Sequence, residues 1–170
     1  MEYFNIQKNF TVYIFYGSET GLSKSIGEIF LTQLKKLSLY QVKIDVMNNF
    51  FKYDIKLGDL CFFIISTTGE GEFPKNAIEF HKKIRKVKTD NIEYSLLALG
   101  NSNYKHFCHA GKITDRLLKF SGAKNFNQIT LFDDAIDDND IIEKWMCKNK
   151  KYIVEYKNKL FNWFIQSMSG

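Results

Sequence analysis

Tyr16-Gly17-Ser18-Glu19-Thr20-Gly21-Leu22-Ser23 brings small hydroxyls, two glycines and the start of a helix-period segment into one short stretch. Those residue types suit an anion. Where a strand feeds such a turn into a helix, the free N–H groups of the first turn, the helix dipole and the Ser/Thr hydroxyls converge on one place. The stretch does not end in Gly-Lys-Ser/Thr, which excludes a P-loop for a nucleoside triphosphate. It also lacks the Gly-x-Gly-x-x-Gly spacing by which a backbone approaches a dinucleotide pyrophosphate. Hydroxyls and amides without a cationic clamp fit a single monoester phosphate. An ordinary capped strand-to-helix turn would use the same residues, so the reading depends on what the rest of the chain places beside it.

Apolar runs alternate with helix-period segments along the whole chain. Thr11–Tyr16 reads as a first strand and Ser23–Leu37 as a helix with Ile26, Ile29, Phe30 and Leu34 on one face. Val42–Met47 alternates like a half-covered strand, and Leu60–Ser66 is a continuous apolar run expected of a central one. A helix over Lys75–Val87, a strand at Tyr94–Leu99, a helix over Phe107–Phe120, a strand at Gln128–Phe132 and a long amphipathic helix over Asp140–Ile165 follow. No repeat or linker divides residues 1–170, which read as one domain. Five strands alternating with helices imply an α/β fold with a parallel sheet covered on both faces. In the order 2-1-3-4-5, ligands sit at the carboxyl ends of the strands around the switch point.

That topology sets a test for the first loop: the loops after the third and fourth strands must look functional too. After the third comes Ser66-Thr67-Thr68-Gly69-Glu70-Gly71-Glu72-Phe73-Pro74, whose glycines let backbone lie close to a flat ring. After the fourth comes Gly100-Asn101-Ser102-Asn103-Tyr104-Lys105-His106-Phe107-Cys108, with a ring that can stack and amides that can hydrogen-bond. Three coordinated loops at the expected ends form a constellation.

Composition narrows the classes. Apolar residues make up 45%, aromatics 16%, and Pro74 is the single proline, as in a globular domain. The net charge of +5 permits nucleic acid, but the lysines are scattered along helical segments, with the densest run at Lys82 to Lys88; no nucleic-acid partner is expected. Cys61, Cys108 and Cys147 fall in separate elements, and neither they nor His81, His106 and His109 have metal-ligand spacing. Reduced thiols in a cytoplasmic setting, no metal, no membrane partner and a monomeric state are the expectations. The amino terminus has no apolar core of signal-peptide length, and no stretch approaches a membrane span.

In order and spacing, YGSETG, STTGEGEFP, ALGNSNYKHFCHAGKITDRLLKFSGAK and LFDD resemble the FMN-binding, flavodoxin-like domain of the diflavin reductases. That family includes NADPH–cytochrome reductase, the sulfite reductase flavoprotein, methionine synthase reductase and the reductase serving iron–sulfur assembly. The resemblance covers about Thr11 to Trp145. It implies that Ser18, Glu19, Thr20, Gly21, Leu22 and Ser23 form the FMN phosphate loop, with Ser18, Thr20 and Ser23 as hydroxyl donors. Ser66, Thr67, Thr68, Gly69, Glu70 and Gly71 would border the isoalloxazine, the Gly69 carbonyl facing its N5. Tyr104 would stack on the ring. Leu99, Gly100, Asn101, Ser102, Asn103, Lys105, His106, Phe107 and Cys108 would follow its edge and the ribityl chain, with Asp134 as an acidic neighbour. Three positions depart from the family pattern: Leu22 replaces a threonine, Thr68 a tyrosine found in some relatives, and Phe132 a glycine.

Each of these has a plainer alternative. Tyr104 can be a core aromatic, Cys108 a buried thiol in place of a helix-start thiolate, and Asp133, Asp134, Asp137 and Asp138 a solvated helix entry. The resemblance further implies a cofactor that carries the redox chemistry while the protein sets its potentials. Negative charge from Glu70 or Asp134 would lower the potential of the fully reduced flavin. Electrons would arrive from NADPH through FAD on a separate reductase module and leave singly to a haem, cobalamin or iron–sulfur protein. These residues are expected to be no complete NADPH oxidoreductase alone. A stand-alone flavodoxin and an FMN-less scaffold are the competing readings.

Overall fold

Leu60–Ser66 (β3) carries a run from Leu60 to Ile65 with no exposed surface, so both of its faces must be covered. It takes the middle of a wholly parallel sheet, between Val12–Gly17 (β1) and Glu93–Gly100 (β4). The computed structural model describes residues 10–37, 41–136 and 138–169; Asp137 and the side chain of Asn139 lie outside the described residues. Val42–Val46 (β2) pairs with the outer side of β1. Beyond β4 the edge position is shared by Lys124–Asn125 (β5) and Thr130–Asp133 (β6), which pair with the start and the end of β4 respectively. The order is therefore 2-1-3-4-5 as expected, with the fifth position broken in two. The first piece, β5, carries no apolar alternation and was not foreseen.

Alternation along the strands splits the core. Tyr13, Phe15, Cys61, Phe63, Ile65, Leu96 and Ala98 face one side, where Lys75–Ile84 (α2) and His109–Phe120 (α3) cover them. Val12, Ile14, Phe62, Ile64, Leu97 and Leu99 face the other, under Leu22–Lys35 (α1) and Asn139–Ser169 (α4). A 3-10 turn at Met47–Lys52, absent from the sequence reading, plugs the first face with Met47 and Phe50. Phe50 meets Phe15 and Phe80 edge-on at 5.2 Å in both cases, the favoured geometry for aromatic pairs.

The helix boundaries differ from expectation for local reasons. α1 buries Ile26, Phe30 and Leu34 as expected but leaves Ile29 half exposed. Gly27 explains this: a Cβ there would stand 3.0 Å from Ile44 Cδ1, so the glycine side of the helix is pressed on the sheet and Ile29 turns away. α2 ends at Ile84, three residues before Val87, which is exposed. α3 starts at His109, two residues after the expected Phe107, because Cys108 adopts a left-handed φ of 53° that no helix interior accommodates. α4 runs past Ile165 to Ser169. Trp145, Met146, Asn149 and Ile153 are buried in its first half, and the Tyr156 hydroxyl donates to the Gly58 carbonyl at the amino end of β3. After Tyr156 the helix leaves the sheet behind. Among the described residues no helix is long and apolar enough to cross a membrane.

Candidate functional site

The loops after β1, β3 and β4 lie along the carboxyl edge of three adjacent parallel strands. The first is shaped by Gly21, which opens α1 at φ 96° with nothing within 4 Å of where a Cβ would be. No side chain caps the helix, so the N–H groups of Leu22 and Ser23 have no intrahelical partner. The Ser25 N–H donates to the Gly21 carbonyl, closing the first turn. Two other groups in the loop are already engaged: the Ser18 N–H donates to Asn76 Oδ1 at 2.9 Å and the Gly21 N–H to Ser18 Oγ at 2.9 Å. Asn76 is thus a site-shaping residue that no reading of the loop itself singled out. Glu19 reaches in the same direction, accepting the Lys75 N–H at the start of α2.

The second loop is a closed turn. Thr68 and Glu72 bridge each other through both backbone directions, and Gly69 (φ 47°) and Gly71 (φ 103°) supply the left-handed corners. Ser66 ties it to the first loop through a 2.6 Å hydroxyl contact with Ser23. Thr67 faces inward, its Oγ1 accepting the Ala110 N–H and its N–H donating to the Leu99 carbonyl. Phe73 stacks on the buried His81 ring at 3.7 Å between centroids. His81 bonds the Ala77 carbonyl through Nδ1 and Thr114 Oγ1 through Nε2, and burial pushes its pKa down to about 4. A groove of about 760 Å³ runs between Glu19 and this turn, lined also by Lys75 and Ile78.

The third loop carries Tyr104, 63% exposed, on a turn held by Asn101: its carbonyl accepts the Tyr104 N–H and its Oδ1 the Asn103 N–H. Asp133 accepts the Ser102 and Ala135 N–H groups, and the bonds from Ser102 hold its carboxyl below the usual carboxylate range. His106 packs against Gly71, where a Cβ would stand 2.8 Å from its own Cβ; this joins the second and third loops. Lys105 is exposed, and Phe107 is half-buried beneath the Lys112 ammonium.

Two sequence candidates, Leu99 and Cys108, have side chains in the core and not in the open edge. Leu99 is a core side chain, 2% exposed. Cys108 is fully buried under Gly100, its thiol directed at the Ala98 and Phe132 carbonyls, and burial raises it to about 12, so the reactive-thiolate alternative fails. Asp134 is exposed, with its N–H on the Gly100 carbonyl; Asp133, its neighbour, orders the loop. Phe132 is a buried strand residue of the α1/α4 core, and the chain runs regularly through it. Among the described residues no cluster of metal ligands exists.

Comparison with known proteins gives this edge its family. A family model described as flavodoxin matches residues 14–145. A sulfite reductase [NADPH] flavoprotein alpha-component of a Shewanella species (strain ANA-3) is 40% identical over 67% of this chain and 19% of its own length. The NADPH-dependent diflavin oxidoreductase 1 of Schizosaccharomyces pombe is 33% identical over 71% and 21%, and mouse methionine synthase reductase 31% over 78% and 20%. The chain thus spans about a fifth of the length of these relatives. Oxidised flavodoxin 2 from Bacillus cereus superposes with a TM-score of 0.67 at 21% identity, covering 88% of this chain and 99% of that one. That likeness shows the fold; the sequence matches show the family. The chain belongs to the flavodoxin family, as an FMN-binding domain of the kind found in diflavin reductases.

Proposed function

We propose that the chain holds FMN at the carboxyl edge of its sheet and carries electrons from an NADPH/FAD reductase module to an acceptor protein. The observation that carries this is the uncapped start of α1: left-handed Gly21 with the partnerless N–H groups of Leu22 and Ser23 beside the Ser23–Ser66 hydroxyl pair. These groups fit a phosphate monoester. The Thr20 hydroxyl and the Leu22 and Ser23 amides bind it, and the α1 dipole adds attraction. The Leu22 side chain is 40% exposed and gives no hydroxyl, so its amide is its contribution.

When bound, FMN supplies one- and two-electron redox chemistry. The protein's part is to position and tune it. The Thr68–Glu72 turn presents backbone to one edge of the ring, and Gly69 lets a carbonyl turn towards it. Tyr104 covers a ring face and displaces water from it. Exposed Glu70, Glu72 and Asp134 set a negative rim, which disfavours added negative charge on the ring and steers a basic electron acceptor. A haem, cobalamin or iron–sulfur protein with a basic face fits such a rim.

Titration with FMN, FAD and riboflavin tests the reading. FMN is expected to bind with 1:1 stoichiometry and at least about a hundredfold tighter than riboflavin, since removing the phosphate removes several charge-assisted bonds. NADPH alone is expected to leave the bound FMN oxidised, and a separate NADPH/FAD reductase to reduce it. Equal affinity for FMN and riboflavin, or no uptake of either, overturns the proposal.

A further inference from the structure

The amino end of the sheet, opposite the FMN edge, carries an apolar projection with a basic collar. Tyr156 marks the level at which α4 passes β3, and the residues from Lys157 to Ser169 continue for about 20 Å beyond it. Leu160, Phe161, Phe164, Ile165, Met168 and Trp163 occupy about 200° of that segment's circumference, far more than the ~100° stripe a helix needs to pack on one neighbour. Trp163 is 69% exposed and Met168 60%. The remaining sector holds Asn158, Lys159, Asn162, Gln166 and Ser169, Lys157 stands at the base of the apolar arc itself, and these two lysines are the charged side chains among residues 156–169. The Ser167 hydroxyl inside the apolar arc is satisfied by the Phe164 carbonyl, so it does not demand water.

Around the base of this projection the surface is cationic. Lys35 and Lys36 end α1, Arg85, Lys86 and Lys88 follow α2, and Lys124 starts β5. All are exposed, and among the described residues none has an ion-pair partner. Asp90 and Glu155 are exposed acids that offset them in part, and exposed Asp54 nearby is paired with Lys56. Leu57 and Phe120, 81% and 77% exposed, stand at the same end.

We propose that this end seats on an anionic phospholipid surface, with the α4 projection in one leaflet and the collar at the headgroups. Charge complementarity selects this occupant. Lys157 and Lys159 stand where the helix leaves the body, at headgroup level for an apolar arc inserted beyond them. A second copy of the chain would cover only one stripe of the arc and would bring two cationic collars together. Seated this way, the acidic FMN edge faces away from the lipid and stays open to protein partners.

The test uses the whole chain with vesicles of phosphatidylcholine alone and with phosphatidylserine added. Of the two tryptophans, Trp145 is buried, so a blue shift in emission reports Trp163. The expected result is co-sedimentation and a blue shift with phosphatidylserine vesicles only, reduced by high salt. Lys157→Glu with Lys159→Glu is expected to weaken binding roughly thirtyfold or more. Phe161→Ser with Phe164→Ser, on the part of the helix outside the body, is expected to abolish it with FMN binding unchanged. Absence of phosphatidylserine-dependent binding overturns the proposal. So does a blue shift that grows with protein concentration without vesicles, which would assign the projection to a second copy.

Discussion

The two ends of the sheet are built from the same helices and strands and come out as opposites. At the carboxyl end, exposed acids surround short loops that are bonded to one another: Ser18 to Asn76, Ser23 to Ser66, Ser102 to Asp133. At the amino end, cations surround an apolar helix that touches little after Tyr156. The net charge of +5 belongs to neither end as a whole; it is a balance of two unlike surfaces. Bulk charge therefore misleads about docking, because association follows the local field. Order at the first end is bought by pre-formed hydrogen bonds, and the second end is left for a partner to cover.

The sharpest way to break the carboxyl end alone is Gly100→Ala. A Cβ there would lie 2.5 Å from the Cys108 backbone nitrogen, and neither the end of β4 nor the left-handed Cys108 can yield. We expect a loss of about 3 kcal/mol or more in denaturant unfolding, with FMN binding abolished. Retained FMN affinity would show that the third loop does not depend on that junction.

Acid should separate the two ends next. His81 underlies the second loop through Phe73, and its folded-state pKa, about 4, lies below the ordinary value of 6.5. The unfolded chain therefore binds the extra proton first. Stability is intact above about pH 6.5 and falls as the pH drops towards 4, by up to about 3 kcal/mol. His81→Gln should flatten that slope between pH 6.5 and 4. Hydrogen exchange in acid should loosen the Thr68–Glu72 turn before the base of α4; a uniform response would contradict the assigned support.

Legibility followed the same division. The apolar runs fixed β1, β3 and β4, and with them the edge where three loops meet, because a buried parallel strand has a strong local signature. The glycines after β3 were readable for close backbone approach to a flat ring, and their left-handed corners emerged only in the fold. What escaped was anything set by distant contact. Asn76 serves the first loop from α2, across a sequence gap that no loop motif spans. Asp133 anchors Ser102, a role fixed by the pairing of β6 with β4 and by no local pattern. β5 escaped because Lys124 and Asn125 carry no pattern, only a place on the sheet edge. The projection of α4 was visible as a helix, but where it parts from the body depends on strand length at Gly58.

The smallest effects sharpen the comparison best, because each removes one hydrogen bond from one end. Asn76→Ala frees the Ser18 N–H, and Tyr156→Phe leaves the Gly58 carbonyl without its hydroxyl donor. Either loss should cost about 1 kcal/mol of stability, the usual net value of such a bond. Their consequences for FMN should differ. Without Asn76 the Ser18 amide and the first loop must find a new arrangement, so FMN affinity should fall roughly three- to tenfold, by a similar free energy. Tyr156 lies at the far end of β3, so its variant should bind FMN as the parent does. If isothermal titration gave both variants the same affinity loss, the two ends would be energetically coupled through the sheet. If only Asn76→Ala moved it, the carboxyl end is a locally bonded unit, pre-shaped before its cofactor arrives.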